Sequence, residues 1–107
     1  MNFYTVGSHM GYIIAIDQGT TSTRSMVFDD KFAIVGRGQE EFEQHFPKSG
    51  WVEHSPHDLL NSVVSTCKKA IDDAKIKATE ILALGITNQR ETTLLWDKVT
   101  GEPIYNA

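Results

Sequence analysis

Cysteine is almost missing from this chain: Cys67 stands alone among 107 residues, so no internal disulfide can brace the fold. A single thiol and no disulfide framework fit a reducing cytoplasm. Long apolar runs are absent too, and nothing approaches the roughly 20 residues a membrane-spanning helix needs. Basic excess is the third absence. Fourteen acids stand against ten Lys and Arg, for a formal charge of −4. With no basic block, the long-range field does not favour a nucleic-acid backbone as partner. Repeats and low-complexity segments are also lacking, and the length allows one modest core or part of a larger one.

The first ten residues stand apart. "GSHM" at Gly7 to Met10 reads as the remnant of a cleavable expression tag, so residues 1–10 are excluded from the fold expectation. Residues 11–107 are expected to be the front part of a larger domain. "GEPIYNA" breaks off as another apolar segment begins, so the chain reads as truncated.

"YIIAI" at Tyr12 to Ile16 is a continuous apolar run, the mark of a strand covered on both faces, and Asp17 closes it. After the turn "QGTT", a second strand is expected from Arg24 to Phe28 and a third from Phe32 through "FAIVGRGQEEFEQ", with "DDK" between them. Short connections make these three an antiparallel meander. "HFPKSGWVEHSP" is an irregular link punctuated by Pro47, Gly50 and Pro56.

A helix follows, with Ser55 as N-cap, Pro56 at its first position and Asp58 three residues after the cap. Leu59, Leu60, Val63, Val64, Cys67, Ala70, Ile71 and Ala74 recur at helical spacing, which predicts an apolar stripe packed on a sheet. "EILALGITNQ" predicts a fourth strand and "TTLLWD" a fifth, with "KVTGEP" as a turn. The fold class is α/β or α+β. A strand reached through a helical crossover normally runs parallel to an earlier one. Should the fourth strand lie beside the first, "DQGTTSTR" and "TNQRET" would open on one crevice, the ligand edge of an open sheet.

"DQGTTSTR" contains no lysine of a Walker-type loop. Phosphate can still be held by turn N–H groups and neighbouring hydroxyls. Gly19 allows close approach, Thr20, Thr21 and Ser22 supply hydroxyls, Arg24 a guanidinium, and Asp17 a carboxylate suited to hydrated Mg²⁺. An ordinary hairpin turn, its hydroxyls satisfying local backbone, accounts for the same residues. At the second ending, Arg90 offers only donors and Glu91 only acceptors. Together they could satisfy a polyol hydroxyl, which is both. Neighbours in a regular strand face opposite ways, so this requires that the strand has ended or bulged. A solvated charge pair is the plainer alternative.

"DQGTTSTR", "FPKSGWVEHSP" and "GITNQRETTLLWDKVTGEPIYNA" strongly resemble the amino-terminal part of the glycerol kinases, a branch of the FGGY carbohydrate kinases. The resemblance covers nearly all of Tyr12 to Ala107. It implies the RNase H-like, actin-like ATPase fold and ATP-dependent phosphorylation of glycerol to sn-glycerol 3-phosphate. It also implies Thr20, Thr21, Ser22 and Arg24 around the ATP phosphates, Asp17 near Mg²⁺, and Arg90 and Glu91 on glycerol. The family's catalytic base and adenine pocket lie beyond Ala107, and a homo-oligomer is expected for the complete enzyme. A kinase of another polyol or sugar, a non-catalytic nucleotide-binding or assembly module, and an RNase H-like nuclease are the competing readings. The hydroxyl-rich turn and the missing basic surface count against the nuclease.

Several residues are expected to do something plainer. Trp51 should anchor its loop to the core. His54 and His57 have loose HxxH spacing with no third ligand, so no metal is expected there or at His45. Cys67 belongs to the apolar helix stripe and is not expected to act as a nucleophile.

Overall fold

The structure is a computed structural model that describes residues 11–107. The tag remnant expected at residues 1–10 lies outside the described residues. Strands β1 (Tyr12–Gln18), β2 (Ser22–Phe28) and β3 (Ile34–Glu41) are followed by helix α1 (Pro56–Ala74), a single 3-10 turn at Ala78–Glu80, and strand β4 (Ile81–Thr87). The sheet order is β3-β2-β1-β4. The first three strands form the expected antiparallel meander, and β4 returns parallel to β1. Asp17 stands beside Thr87 in that parallel register, so the carboxyl ends of β1 and β4 share one edge.

The strand limits differ from the sequence expectation in informative ways. β2 begins at Ser22, two residues early, and draws Ser22 and Thr23 out of the turn into the sheet. β3 starts at Ile34 because the preceding turn extends further. Asp29 Oδ1 accepts the N–H groups of Lys31 and Ala33, and Phe32 adopts a positive φ of 61°. β4 ends at Thr87, short of Asn88 and Gln89. The expected fifth strand at "TTLLWD" does not form. A lone bridge joins Trp96 to Pro103. The segment turns on Asp97, whose carboxylate accepts from the N–H groups of Val99 and Thr100 at 2.8 Å each. These bonds hold its pKa below the ordinary aspartate value.

Helix α1 starts as its sequence signals require. Ser55 Oγ accepts from the Asp58 N–H at 3.4 Å, and Pro56 opens the helix. Lys75 closes it in the left-handed region, its N–H directed at Asp72 and Ile71 carbonyls. The buried face only partly matches the expected stripe: Cys67, Ala70, Ile71 and Ala74 pack toward the core, but the face is shifted around the helix. Ser62, Thr66 and Ala70, four residues apart, are the buried positions, whereas Leu60 and Val64 stay exposed.

The reason lies in the strands beneath. The helix rides over β2 and β3 and reaches only the margin of β1. There it meets Thr23 and Ser25 of β2 and Gly36 and Gly38 of β3. A Cβ on Gly36 would come within 2.2 Å of the Ala70 carbonyl oxygen, and one on Gly38 within 2.3 Å of that of Thr66. Small residues on both sides therefore set a close helix-to-sheet approach. Buried hydroxyls meet across it: Ser25 Oγ lies 2.8 Å from Thr66 Oγ1, and Thr23 Oγ1 lies 2.6 Å from Ser62 Oγ. Thr66 gives its proton to the Val63 carbonyl, so Ser25 is the donor in the first pair. Ile14, Val27 and Ala70 form the apolar centre, flanked by Cys67, Ile71 and Ala74.

Candidate active site

The aligned ends of β1 and β4 enclose a crevice of about 590 Å³. Asp17, Gln18, Gly19 and Thr20 line it from the β1 side, and Thr87, Asn88, Gln89, Arg90 and Glu91 from the β4 side. An adjoining hollow of about 320 Å³ shares Thr20, Gln89, Arg90 and Glu91 and is bounded on its far side by Gln44, Val52 and His54. Both polar strand endings thus open on one space, the edge at which open parallel sheets receive ligands.

The β1 turn is tight. Gly19 N–H donates to the Ser22 carbonyl at 3.0 Å, and this donor is therefore occupied within the turn. Thr20 and Thr21 follow it with exposed side chains. Of the four residues expected on phosphate, Thr20 lines the crevice; Thr21, Ser22 and Arg24 stand outside its lining. Ser22 Oγ instead accepts from Gln39 Nε2 at 3.2 Å. Arg24 lies in β2 directly across from Asp17, exposed on the sheet face away from the helix. Asp17 is exposed at the crevice floor. Among the described residues no cluster of three or more His, Cys, Asp or Glu could hold a metal by itself. A lone carboxylate of this kind suits Mg²⁺ that keeps its waters and takes further oxygens from phosphate.

On the β4 side the backbone answers the objection raised by strand alternation. The strand has ended at Thr87, and Glu91 sits in the left-handed region with φ 55°. A turn, not a strand, carries Arg90 and Glu91, so adjacent side chains are freed from opposite faces. Positive φ at a non-glycine costs on the order of 1 kcal/mol or more and concentrates at functional positions. Thr92 Oγ1 donates to the Arg90 carbonyl at 3.1 Å and tightens the turn.

Two residues of this neighbourhood escaped the sequence expectation. His54 is 4% exposed and Gln89 9% exposed. His54 Nε2 lies 3.0 Å from the Thr20 carbonyl oxygen, and Gln89 Nε2 lies 3.1 Å from His54 Nδ1. Phe42 packs edge-on against the imidazole at 5.2 Å between centroids. The loop carrying His54 is held in turn by the end of the chain. His54 and Ala107 exchange backbone hydrogen bonds at 2.8 and 2.9 Å, and Asn106 Nδ2 donates to the buried Glu53 at 3.2 Å. Tyr105 also bonds to Glu53, which raises the Tyr105 pKa. The clue available in the sequence was a histidine placed just before a helix cap, but its partners come from 34 and 35 residues away.

Trp51 does not anchor its loop in the core. It is half exposed, with Lys48 Nζ 4.8 Å above its ring. His57 lies at the surface, 3.5 Å from Glu102.

Comparison with known proteins agrees with this architecture. The chain is 63% identical over 97 residues to glycerol kinase of Rhizobium meliloti (strain 1021), an alignment covering 91% of this chain and 20% of that protein. The chain thus spans about one fifth of the length of the curated relatives it matches. The crystal structure of Plasmodium falciparum glycerol kinase with ADP superposes with a TM-score of 0.79 at 38% identity, covering 91% of this chain and 20% of that one. Gluconate kinase from Lactobacillus acidophilus gives the same TM-score at 22% identity, over 92% of this chain and 19% of that one, and shows the shared fold. The matching family model is the N-terminal domain of the FGGY family of carbohydrate kinases, over residues 12–107. With a meander, a crossover helix and a polar crevice at the shared strand edge, the chain belongs to the FGGY family of carbohydrate kinases.

Proposed function

We propose that the full-length protein carrying this segment transfers the γ-phosphoryl group of ATP to glycerol, giving sn-glycerol 3-phosphate. The observation that carries this reading is that the turn at Arg90 and Glu91 brings a five-donor guanidinium and an acceptor carboxylate to the lining of the same crevice as Asp17 and Thr20. Arg90 and Glu91 are assigned to the glycerol hydroxyls. Thr20, with Thr21, Ser22 and Arg24 behind it, is assigned to the nucleotide phosphates. Asp17 is assigned to Mg²⁺ through water; when bound, the ion offsets charge on the phosphate oxygens. This chain's residues bind and align the two substrates, which in phosphoryl transfer is most of what a protein contributes.

The high identity to proteins named glycerol kinase supports glycerol over other acceptors. A kinase of another polyol or sugar is the second reading, favoured by the fold shared with gluconate kinase. The deciding experiment is ADP formation by the full-length protein with Mg-ATP and, side by side, glycerol, erythritol, xylulose and gluconate. Glycerol is expected to give the highest kcat/KM. A higher value for any of the others would overturn the assignment. Asp17→Ala should lower turnover strongly across a magnesium titration, and unchanged turnover would remove Asp17 from the metal. A cytoplasmic homo-oligomer is the assembly we infer for the full-length protein, and sedimentation of that protein tests it. Among the described residues no helix is long and apolar enough to cross a membrane.

A further inference from the structure

We propose that His54 is a positioning residue that couples the phosphate-side turn to the acceptor-side turn. The proposal rests on the kinase reading above for its kinetic test, and on geometry alone for its second test. The Thr20 carbonyl can only accept a hydrogen bond, so His54 Nε2 carries the proton and donates at 3.0 Å. In the neutral ring Nδ1 is then an acceptor, and it receives the Gln89 Nε2 hydrogen at 3.1 Å. Each ring nitrogen thus holds one of the two turns. Thr20 belongs to the β1 ending, and Gln89 immediately precedes Arg90 and Glu91.

The bridge is rigid for identifiable reasons. The imidazole is buried, faced by Phe42, and its backbone is paired with Ala107 in both directions. Between β1 and β4 the sheet hydrogen bonds run out at Asp17 and Thr87. Past that point, His54 joins the two turns through side-chain bonds. Gln89 Oε1, by contrast, is buried with no partner among the described residues, so within them the Gln89 amide has nothing else on that side to hold it. The orientation of the residue just before Arg90 therefore depends on the His54 bond.

Two half-replacements separate the links. In His54→Gln, the amide nitrogen reaches the position of Nε2 and can still donate to Thr20, while the acceptor for Gln89 is lost. In His54→Asn, the shorter amide can offer an oxygen near the position of Nδ1 to Gln89, while the donor to Thr20 is lost. In the full-length protein, His54→Gln should raise the KM for glycerol roughly three- to tenfold, the cost of one neutral hydrogen bond, and leave the KM for ATP unchanged. His54→Asn should do the opposite. Gln89→Met should reproduce the His54→Gln effect and add nothing to it in the double variant.

Backbone amide exchange supplies a readout independent of activity. His54→Asn should speed exchange in the turn at residues 19–22, and His54→Gln in residues 89–92. Wild-type protein that forms no ADP with glycerol would sink the kinase reading and leave amide exchange to decide the role of His54. Loss of active protein with both KM values unchanged, or exchange that rises equally in both turns or in neither, would overturn the coupling.

Discussion

At the level of single residues, the acceptor assignment rests on a backbone conformation that the side chains alone do not demand. Glu91 holds φ at 55°, which turns the chain directly after Arg90 and puts both residues on the crevice. In the full-length protein, removing either side chain would leave a glycerol hydroxyl without its assigned partner. Such a loss costs on the order of 1–3 kcal/mol, or roughly ten- to a hundredfold in kcat/KM. Arg90→Ala and Glu91→Ala in the full-length protein should therefore impair glycerol use and leave equilibrium ATP binding nearly intact. Thr20→Ala and Arg24→Ala should weaken nucleotide binding instead. Nucleotide titration alongside glycerol saturation kinetics distinguishes the two classes. An unchanged glycerol kcat/KM in either of the first two variants would return that residue to the role of a solvated surface charge.

At the level of elements, the helix and sheet meet through small and hydroxyl-bearing residues, and this is where the sequence was hardest to read. Apolar spacing located α1 and its cap correctly, because Ser55, Pro56 and the recurring Leu and Val are local signals. It placed Cys67, Ala70, Ile71 and Ala74 on the packed side, but missed Ser62 and Thr66 and wrongly included Leu60 and Val64. Spacing cannot tell that Gly36 and Gly38, more than 20 residues earlier, would draw the Ser62, Thr66 and Ala70 side inward. The hydroxyl turn was similarly legible in composition, but β2 pairing took Ser22 and Thr23 into the sheet. "TTLLWD" had the β-propensity of a strand, yet Asp97 bends the chain back before a partner can align. Gly38→Ala should destabilise this chain by about 1–3 kcal/mol, since backbone and not a flexible side chain stands in the way of the new methyl. Gly85→Ala, with nothing within 4 Å of the added carbon, should change stability by less than about 0.5 kcal/mol. Urea denaturation of the two variants compares them directly, and equal midpoints would refute the close-approach account. The Asp97 turn makes a prediction in pH. Its carboxylate is held below the ordinary value of 3.8, first by the Thr100 N–H and then by that of Val99. A depressed carboxylate stabilises its turn fully above the unfolded value, and that contribution is lost as pH falls through the lower folded value. The amides of Val99 and Thr100 should be most protected above the ordinary value of 3.8 and lose protection as pH falls through the lower folded value, which amide exchange during acid titration would detect.

At the level of the whole molecule, the helix covers only half of its sheet. Leu84 and Ile86 pair in register with the buried Ile14 and Ile16 and so share the helix-bearing face, yet they are 53% and 66% exposed. Leu60 and Val64 on the helix are exposed as well. A patch of this kind should bind a hydrophobic dye such as ANS, and Leu84→Lys should reduce that binding without unfolding the chain. The crevice is likewise walled by two strand endings. Its carboxylates among the described residues are Asp17 and Glu91, the first assigned to metal-bound water and the second to a glycerol hydroxyl. Phosphoryl transfer to an alcohol needs a further group to accept the hydroxyl proton as the bond to phosphorus forms. The 107-residue chain by itself is therefore expected to form no ADP in response to glycerol above the background of Mg-ATP alone. Glycerol-dependent turnover by the purified chain would overturn that expectation and show that a proton acceptor sufficient for the reaction lies within these residues.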